Sequence, residues 1–353
     1  MKITYWDESN TGVVETVSSR QVKIGEFREC SFTGICPHYP QILMRTKDEL
    51  LLPTIERFMS LGRGTVYEEN MEWDAPPESL KDFEKSPVFF FCYNNSNYFH
   101  WIYDTLPYLF SYFRVKKQLP NLKLLISPPE NKNDLYPFVY ETLEILNIPK
   151  EDILFLSNNT KYDRVFVGSS LTHNRQSLRP PHPALWDIIS KLKSHKKDTP
   201  EKIYVSRRTW VKNKSENIGT DYTVERKCVN EDQVVDLFKE RGYVEVFAED
   251  LSMTEKISLF SNAKYVAGPV GGGMANLLFC DDNTKVISIN SPEFFPTNER
   301  LKNAMTHTDI KFFDDTKFVS RNDDLVTHEN ALSISGGLNS PWIVDIEKLR
   351  QIL

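Results

Sequence analysis

Three groups of residues in this sequence have types and spacings that could do chemistry. The first is Gly268-Pro-Val-Gly271-Gly272-Gly273-Met274-Ala275-Asn276, which follows a short apolar run and opens an apolar helical pattern. Consecutive glycines let backbone N–H groups approach a ligand with no Cβ between them. The N-terminus of a following helix adds donors and partial positive charge, so an anion such as a diphosphate is the natural guest. The same glycines also suit a tight turn against a neighbouring helix, and the segment alone leaves both readings open. The second group is Tyr204-Val-Ser206-Arg207-Arg208, two arginines directly after a predicted strand. Guanidinium groups bind phosphate oxygens bidentately, so the pair could neutralise a departing diphosphate; solvated arginines at an exposed strand end are the alternative. The third is Asn97-Tyr-Phe-His100-Trp101-Ile-Tyr-Asp104-Thr-Leu-Pro107. On a helix, His100 and Asp104 stand at i and i+4 on one face, where they could serve as a general base and the group that orients it. A buried His–Asp hydrogen bond in an aromatic core has the same spacing.

These groups need elements to position them. Residues 1 to about 85 read as irregular, with short strands and Pro/Gly punctuation. Ser86–Tyr93 then reads as a buried strand, and a helical pattern from about Tyr98, kinked at Pro107, continues to Arg114. Leu122–Ser127 and Arg164–Gly168 are predicted strands, with a helix over Phe138–Leu146 between them. A helix from about Pro183 to His195 carries the apolar stripe Leu185, Ile188, Ile189 and Leu192, and ends in a charged stretch that suits a domain linker. The second half alternates more clearly. Lys202–Ser206, Val244–Phe247 and Lys285–Ile289 are predicted strands. Asn230–Gly242 has a helix cap, an amphipathic body and a terminal glycine, and Ser252-Met-Thr-Glu255 matches a capping box. Strands alternating with helices predict an α/β chain with a doubly wound second half, whose glycine loop lies at strand carboxyl ends.

Composition frames the function. A chain of 353 residues fits two domains, and 40% hydrophobic with 26% charged residues is typical of a globular enzyme. A net charge of −6 argues against nucleic acid as the main partner. Five scattered cysteines without CxxC spacing suggest neither a zinc site nor a disulfide framework. No secretory leader and no apolar run of membrane-spanning length is read, so a cytoplasmic, soluble protein is expected. The glycine loop does not match GxGxxG, and there is neither a Walker loop nor an Asp-x-Asp triplet, which disfavours a dinucleotide site or a metal-held nucleotide-sugar. The pairs Asp281-Asp282, Asp314-Asp315 and Asp323-Asp324 read as turn caps. His173, Arg175, Arg179 and His182 form a basic group read as a surface loop.

Taken together, these segments resemble glycosyltransferase family 61. The aromatic His100-Trp101…Asp104…Leu106-Pro107 block carries the resemblance, with Ser206-Arg207-Arg208 continued by Arg226 and Asn230-Glu231. Phe247-Ala-Glu249-Asp-Leu251-Ser252 and the run from Ala263 through the glycine loop to Phe279 complete it. The resemblance implies a GT-B architecture of two facing Rossmann-like domains. It divides the chain into an acceptor-side domain at 1–195, a nucleotide-sugar domain at 196–330, and a segment at 331–353 packing back on the N-terminal domain. It implies inverting transfer from a UDP-sugar, with xylose or N-acetylglucosamine as the donor sugar, to a carbohydrate or glycoprotein acceptor, without an essential metal or other cofactor. Arg207, Arg208, Arg226, Glu249 and Gly271 through Asn276 would hold the donor. Asp104 would take the acceptor proton with His100 beside it, or the two would act in reversed roles. One departure is Val270, where the family commonly has histidine. It keeps a catalytically silent nucleotide-sugar-binding scaffold as an alternative, ahead of an NAD-dependent oxidoreductase.

Overall fold

Val88-Phe-Phe90, Leu124-Leu-Ile126 and Val165-Phe-Val167 are continuous apolar runs, the pattern of strands covered on both faces, and every one of these residues is buried. A computed structural model describes residues 3–5, 13–17, 20–33, 43–46, 50–52, 80–91, 95–129, 132–172, 181–193, 198–208, 228–292, 304–319, 325–326 and 340–353. The fold is mixed α/β. It divides into an N-terminal unit, Met1–Ser96 with His100–Ile188, and a C-terminal unit, Asn97–Phe99 with Ile189–Leu353. Each is described by itself.

In the N-terminal unit, β1 (Ile3–Tyr5), β2 (Val13–Val17), β3 (Arg20–Thr33), β4 (Leu43–Arg45), β5 (Leu50–Leu52) and β6 (Asp82–Glu84) lead into the central strands. These are β7 (Val88–Phe90), β8 (Lys123–Ile126), β9 (Ile153–Phe155) and β10 (Thr160–Gly168). The four central strands run parallel in the order β10-β7-β8-β9. Helix α1 (Leu109–Gln118) connects β7 to β8, and α2 (Pro137–Ile145) connects β8 to β9. The chain winds outward from β7 in one direction and returns to place β10 on its other side. The switch point therefore lies between β7 and β10, and side chains at their carboxyl ends meet there. Antiparallel β3 extends the sheet beyond β10, and Phe27, Cys30 and Phe32 pack from it against Val88, Phe90 and Val165.

The reading of residues 1 to 85 as irregular missed the 14-residue strand β3. Glu29 has a φ of +50°, which interrupts the alternation, so Phe27, Cys30 and Phe32 enter one cluster at spacings of three and then two. A strict period of two, the signal for a strand, is thereby hidden.

The division falls inside α3 (Leu185–Leu192), whose predicted stripe is buried. In the C-terminal unit, β11 (Lys202–Val205), β12 (Val244–Val246), β13 (Tyr265–Pro269), β14 (Lys285–Ile289) and β15 (Asp309–Phe313) form an all-parallel sheet in the order β12-β11-β13-β14-β15. This is a doubly wound order with its switch point between β11 and β13. Helices α4 (Glu231–Glu240) and α5 (Met253–Asn262) precede β12 and β13. The capping box at Ser252 and Glu255 forms as its spacing predicts. Gly242 follows α4 with a φ of +81°, the left-handed turn that glycine adopts most readily. Asn230 does not cap α4. Its amide instead donates to and accepts from the backbone of Val344.

Val344 belongs to β18 (Trp342–Val344), which joins β16 (Thr316–Val319) and β17 (Leu325–Val326) in a small antiparallel sheet and precedes α6 (Ile346–Ile352). The segment 331–353 was expected on the N-terminal domain. Its described residues belong to the C-terminal unit, where Trp342, Val344 and Leu349 pack with Val234 and Phe238 of α4. Among the described residues no helix is long and apolar enough to cross a membrane.

The sheet sets a tight requirement at the switch point of the C-terminal unit. A Cβ on Gly268 would stand 2.6 Å from the Val205 carbonyl oxygen, a backbone atom that cannot swing aside. Gly268→Ala should therefore destabilise the protein by about 1–3 kcal/mol. A urea midpoint unchanged from wild type would count against this packing.

Candidate active site

Strand β11 ends at Val205, and the next residues are Ser206, Arg207 and Arg208. Strand β13 ends at Pro269 and leads into the glycine loop, while β12 leads to Glu249 in a 3₁₀ turn (Ala248–Asp250). Because β12, β11 and β13 are parallel neighbours, all three groups emerge at one carboxyl edge. There, Arg207 Nη1 donates to the Val270 carbonyl at 2.8 Å. A Cβ on Gly271 would stand 2.7 Å from that same Nη1, so Gly271 allows the guanidinium to lie against the loop backbone. Burial lowers the Arg207 pKa, opposed by the negative charges of Glu231 and Glu249, and a guanidinium remains a cation throughout.

The three glycines have different reasons. Gly271 accommodates Arg207, and Gly273 accommodates Val205, whose Cγ1 lies 2.9 Å from a Cβ placed there. A Cβ on Gly272 would meet nothing within 4 Å. The loop continues as a 3₁₀ helix, Gly272–Phe279, where the Met274 N–H already donates to the Gly271 carbonyl. The amides of Gly272 and Gly273 have no acceptor within that helix, as at any helix N-terminus. Met274, Ala275 and Asn276 turn their side chains into the core. The whole run from Met274 to Phe279 is buried, so any contact of these three residues with a donor would be made by their backbone. Asn276 braces the loop from within, donating to the Gly273 carbonyl at 2.9 Å and accepting from the Tyr98 hydroxyl at 2.5 Å. Val270 is fully buried, with its N–H bonded to the Ile289 carbonyl.

Arg208 parts company with Arg207. Its guanidinium pairs with both oxygens of Glu245 at 2.6–2.9 Å and with Asp232. Desolvation disfavours the Arg208 cation, but these carboxylates outweigh it and hold its pKa above the ordinary value. Arg208 is thus held by Glu245 and Asp232, whereas Arg207 reaches the Val270 carbonyl. Arg226 lies outside the described residues. His173, Arg175 and Arg179 lie outside them as well, while His182 is buried and its Nδ1 accepts from the Ala184 N–H.

The third group sits beyond β7 in the N-terminal unit. Residues His100–Thr105 form a single π-helical turn, Leu106–Tyr108 a 3₁₀ turn containing Pro107, and α1 follows. Proline has no N–H to continue a helical ladder, so the helix type changes there. Trp101 anchors the π-turn, packing edge-on to Phe91 and donating to Thr142 of α2. This turns His100 and Asp104 toward each other, with Nδ1 2.6 Å from Asp104 Oδ2. The other carboxylate oxygen accepts from the Thr172 hydroxyl at 3.0 Å, and Thr172 follows the carboxyl end of β10. Asp104 is wholly buried, whereas the His100 side chain keeps 23% of its surface exposed. The carboxylate thus meets the imidazole at Nδ1, on the side away from Nε2.

Sequence reasoning passed over Glu231 as a site residue. It opens α4 fully buried, and its Oε1 accepts from the Arg207 N–H at 2.8 Å, the Tyr204 hydroxyl at 3.2 Å and the Ser206 hydroxyl at 3.4 Å. It entered the sequence pattern only as the neighbour of Asn230, with no role assigned. Among the described residues no group of three or more His, Cys, Asp or Glu side chains is placed to hold a metal ion.

An α/β chain with an arginine–glycine junction at one switch point and a His–Asp pair at another has the parts of a group-transfer enzyme. The family model Glycosyltransferase 61 matches residues 98–287, more than half of the chain, and the chain belongs to that family. No curated protein matches it.

Burial pushes the Glu231 carboxyl up to about 7 from an ordinary 4.5, against the lowering effects of Arg207, Tyr204 and Arg208. The folded state then holds a proton that the unfolded state has lost, so this contribution is fully present below pH 4.5 and is lost as pH rises through about 7. A difference of that size corresponds to about 3 kcal/mol. Urea unfolding at pH 5 and pH 8 should show a steeper loss of stability for wild type than for Glu231→Gln. Equal losses in the two proteins would contradict the assignment.

Proposed function

We propose that this chain is an inverting, metal-independent glycosyltransferase of GT-B type that moves a sugar from a UDP-sugar to a hydroxyl of a carbohydrate or glycoprotein acceptor. Xylose and N-acetylglucosamine are the donor sugars to test first. Membership of the family supports sugar transfer, and the observation that carries the mechanism is the partly exposed His100 held on the buried carboxylate of Asp104. In this reading His100 Nε2 accepts the proton of the acceptor hydroxyl as its oxygen bonds to the anomeric carbon. The bond from that carbon to the diphosphate oxygen breaks on the opposite face, which inverts the configuration. Asp104 stabilises the imidazolium, which afterwards returns its proton to solvent.

The leaving diphosphate carries away the electron pair. Arg207 and the amides of Gly272 and Gly273 offer a cation and N–H donors to that growing charge. Glu249, whose charge acts on Arg207, is proposed to hold donor hydroxyls. Arg226 is kept as a donor contact from the sequence pattern alone. Arg208, already paired with Glu245 and Asp232, supports the strand end in this proposal and does not touch phosphate.

Val270 favours a second reading. A buried apolar side chain stands where the family commonly has histidine, which fits a protein that binds a nucleotide-sugar without turning it over.

Assays over a panel of UDP-sugars should detect transfer or donor hydrolysis that persists in EDTA. His100→Ala and Asp104→Asn should each lower kcat/KM by about 10²–10⁴-fold while UDP still raises the melting temperature. Stabilisation by UDP with no turnover on any donor would instead establish the silent scaffold. Product of retained anomeric configuration, read by NMR, would exclude the direct displacement.

A further inference from the structure

A carboxylate buried at the first residue of a helix calls for a reason, because desolvating it costs several kcal/mol unless its surroundings repay the loss. The partners of Glu231 show where its effect is directed. Oε1 gathers the main-chain N–H of Arg207 and the hydroxyls of Tyr204 and Ser206, three donors from the end of β11 and the two residues that follow it. Ser206 in turn accepts from the Arg208 N–H at 3.2 Å. Oε2 has no hydrogen-bond partner among the described residues. The contrast with Arg208 is chemical: Glu245 and Asp232 take the guanidinium of Arg208, whereas Glu231 takes the backbone of Arg207. A carboxylate that grips the main chain locates the side chain without capping it.

We propose that Glu231 is a positioning residue for anion binding, holding the end of β11 so that the Arg207 guanidinium lies beside Gly271 and faces a diphosphate. This rests on the reading of the glycine loop as the donor diphosphate site. The part of Glu231 that matters is its acceptor oxygen, not its charge, since a negative charge near Arg207 opposes a bound anion. Glutamine keeps that acceptor and removes the charge. Alanine removes the acceptor, and methionine removes it while filling the buried volume.

The test is calorimetric titration of the full chain at pH 7.5 with inorganic pyrophosphate, UDP-xylose and UDP-N-acetylglucosamine. Wild type, Arg207→Ala and Glu231→Gln, →Ala and →Met are compared, with folding checked by circular dichroism melts. Arg207→Ala should lose pyrophosphate binding. Glu231→Gln should bind it as tightly as wild type or up to severalfold tighter, while Glu231→Ala and Glu231→Met bind about tenfold more weakly. A purely structural role would lower melting temperatures without separating glutamine from methionine in affinity. If alanine prevents folding, the glutamine–methionine pair decides. Equal affinities across the Glu231 variants, or a tenfold loss in Glu231→Gln, overturn the proposal, as does a wild type that binds no anion. The expected pattern with pyrophosphate but with neither UDP-sugar would support the role of Glu231 and remove the UDP-sugar reading.

Discussion

A guanidinium set against a loop backbone is the constraint on which the carboxyl edge of the C-terminal sheet depends. Taking a cation out of water is unfavourable by several kcal/mol, so Arg207 stays only where neighbours compensate it. The Val270 carbonyl accepts from it at 2.8 Å, and Glu231 and Glu249 supply opposite charge. A Cβ at position 271 would stand 2.7 Å from the guanidinium nitrogen, so a side chain there would make the guanidinium shift. Arginine, glycine and the two carboxylates are therefore one arrangement, and Val205 beneath Gly273 and the carbonyl of Val205 beneath Gly268 set how closely β13 can approach β11. Close packing and charge compensation act on the same few atoms.

The N-terminal unit meets a related problem with different residues. Its switch point lies between β7 and β10, and the groups that leave those strand ends converge. Asp104 is wholly buried, and Thr172 and His100 each bond one of its carboxyl oxygens. Trp101 and Thr142 hold the π-turn in place from below. Within that turn a histidine near solvent and a carboxylate in the core share one hydrogen bond. In both units these groups sit on connections that follow strand carboxyl ends, and the N-terminal unit has the buried apolar runs Val88–Phe90 and Val165–Val167 beneath them.

Much of the framework was legible because its signals are local. The stripe of α3 lies at helical spacing, the Ser252–Glu255 box needs only four residues, and the buried strands are short apolar runs. Strand β3 escaped because one residue of positive φ, Glu29, breaks the alternation by which strands are read. Asn230 looked like a cap because caps are defined by sequence position. Its amide went instead to Val344, 114 residues away, a partner that no local pattern names. The C-terminal segment followed the same logic, drawn to α4 by Trp342 and Leu349.

The residue types of the site were determined by the sequence alone: a His–Asp pair four apart, adjacent arginines after a strand, and a glycine run opening a helix. Those are local chemical facts, and their order along the chain was enough to suggest the family. What only the tertiary structure decided is which atoms of these residues are available. Adjacent arginines after a strand received different partners, so Arg207 lies on the glycine loop and Arg208 on Glu245 and Asp232. Burial separated His100 from Asp104, leaving the imidazole near solvent and the carboxylate in the core. Gly271 and Gly273 proved to lie against Arg207 and Val205, whereas Gly272 faces open space. Availability depends on neighbours brought together by the sheet, and those neighbours are far apart in the chain.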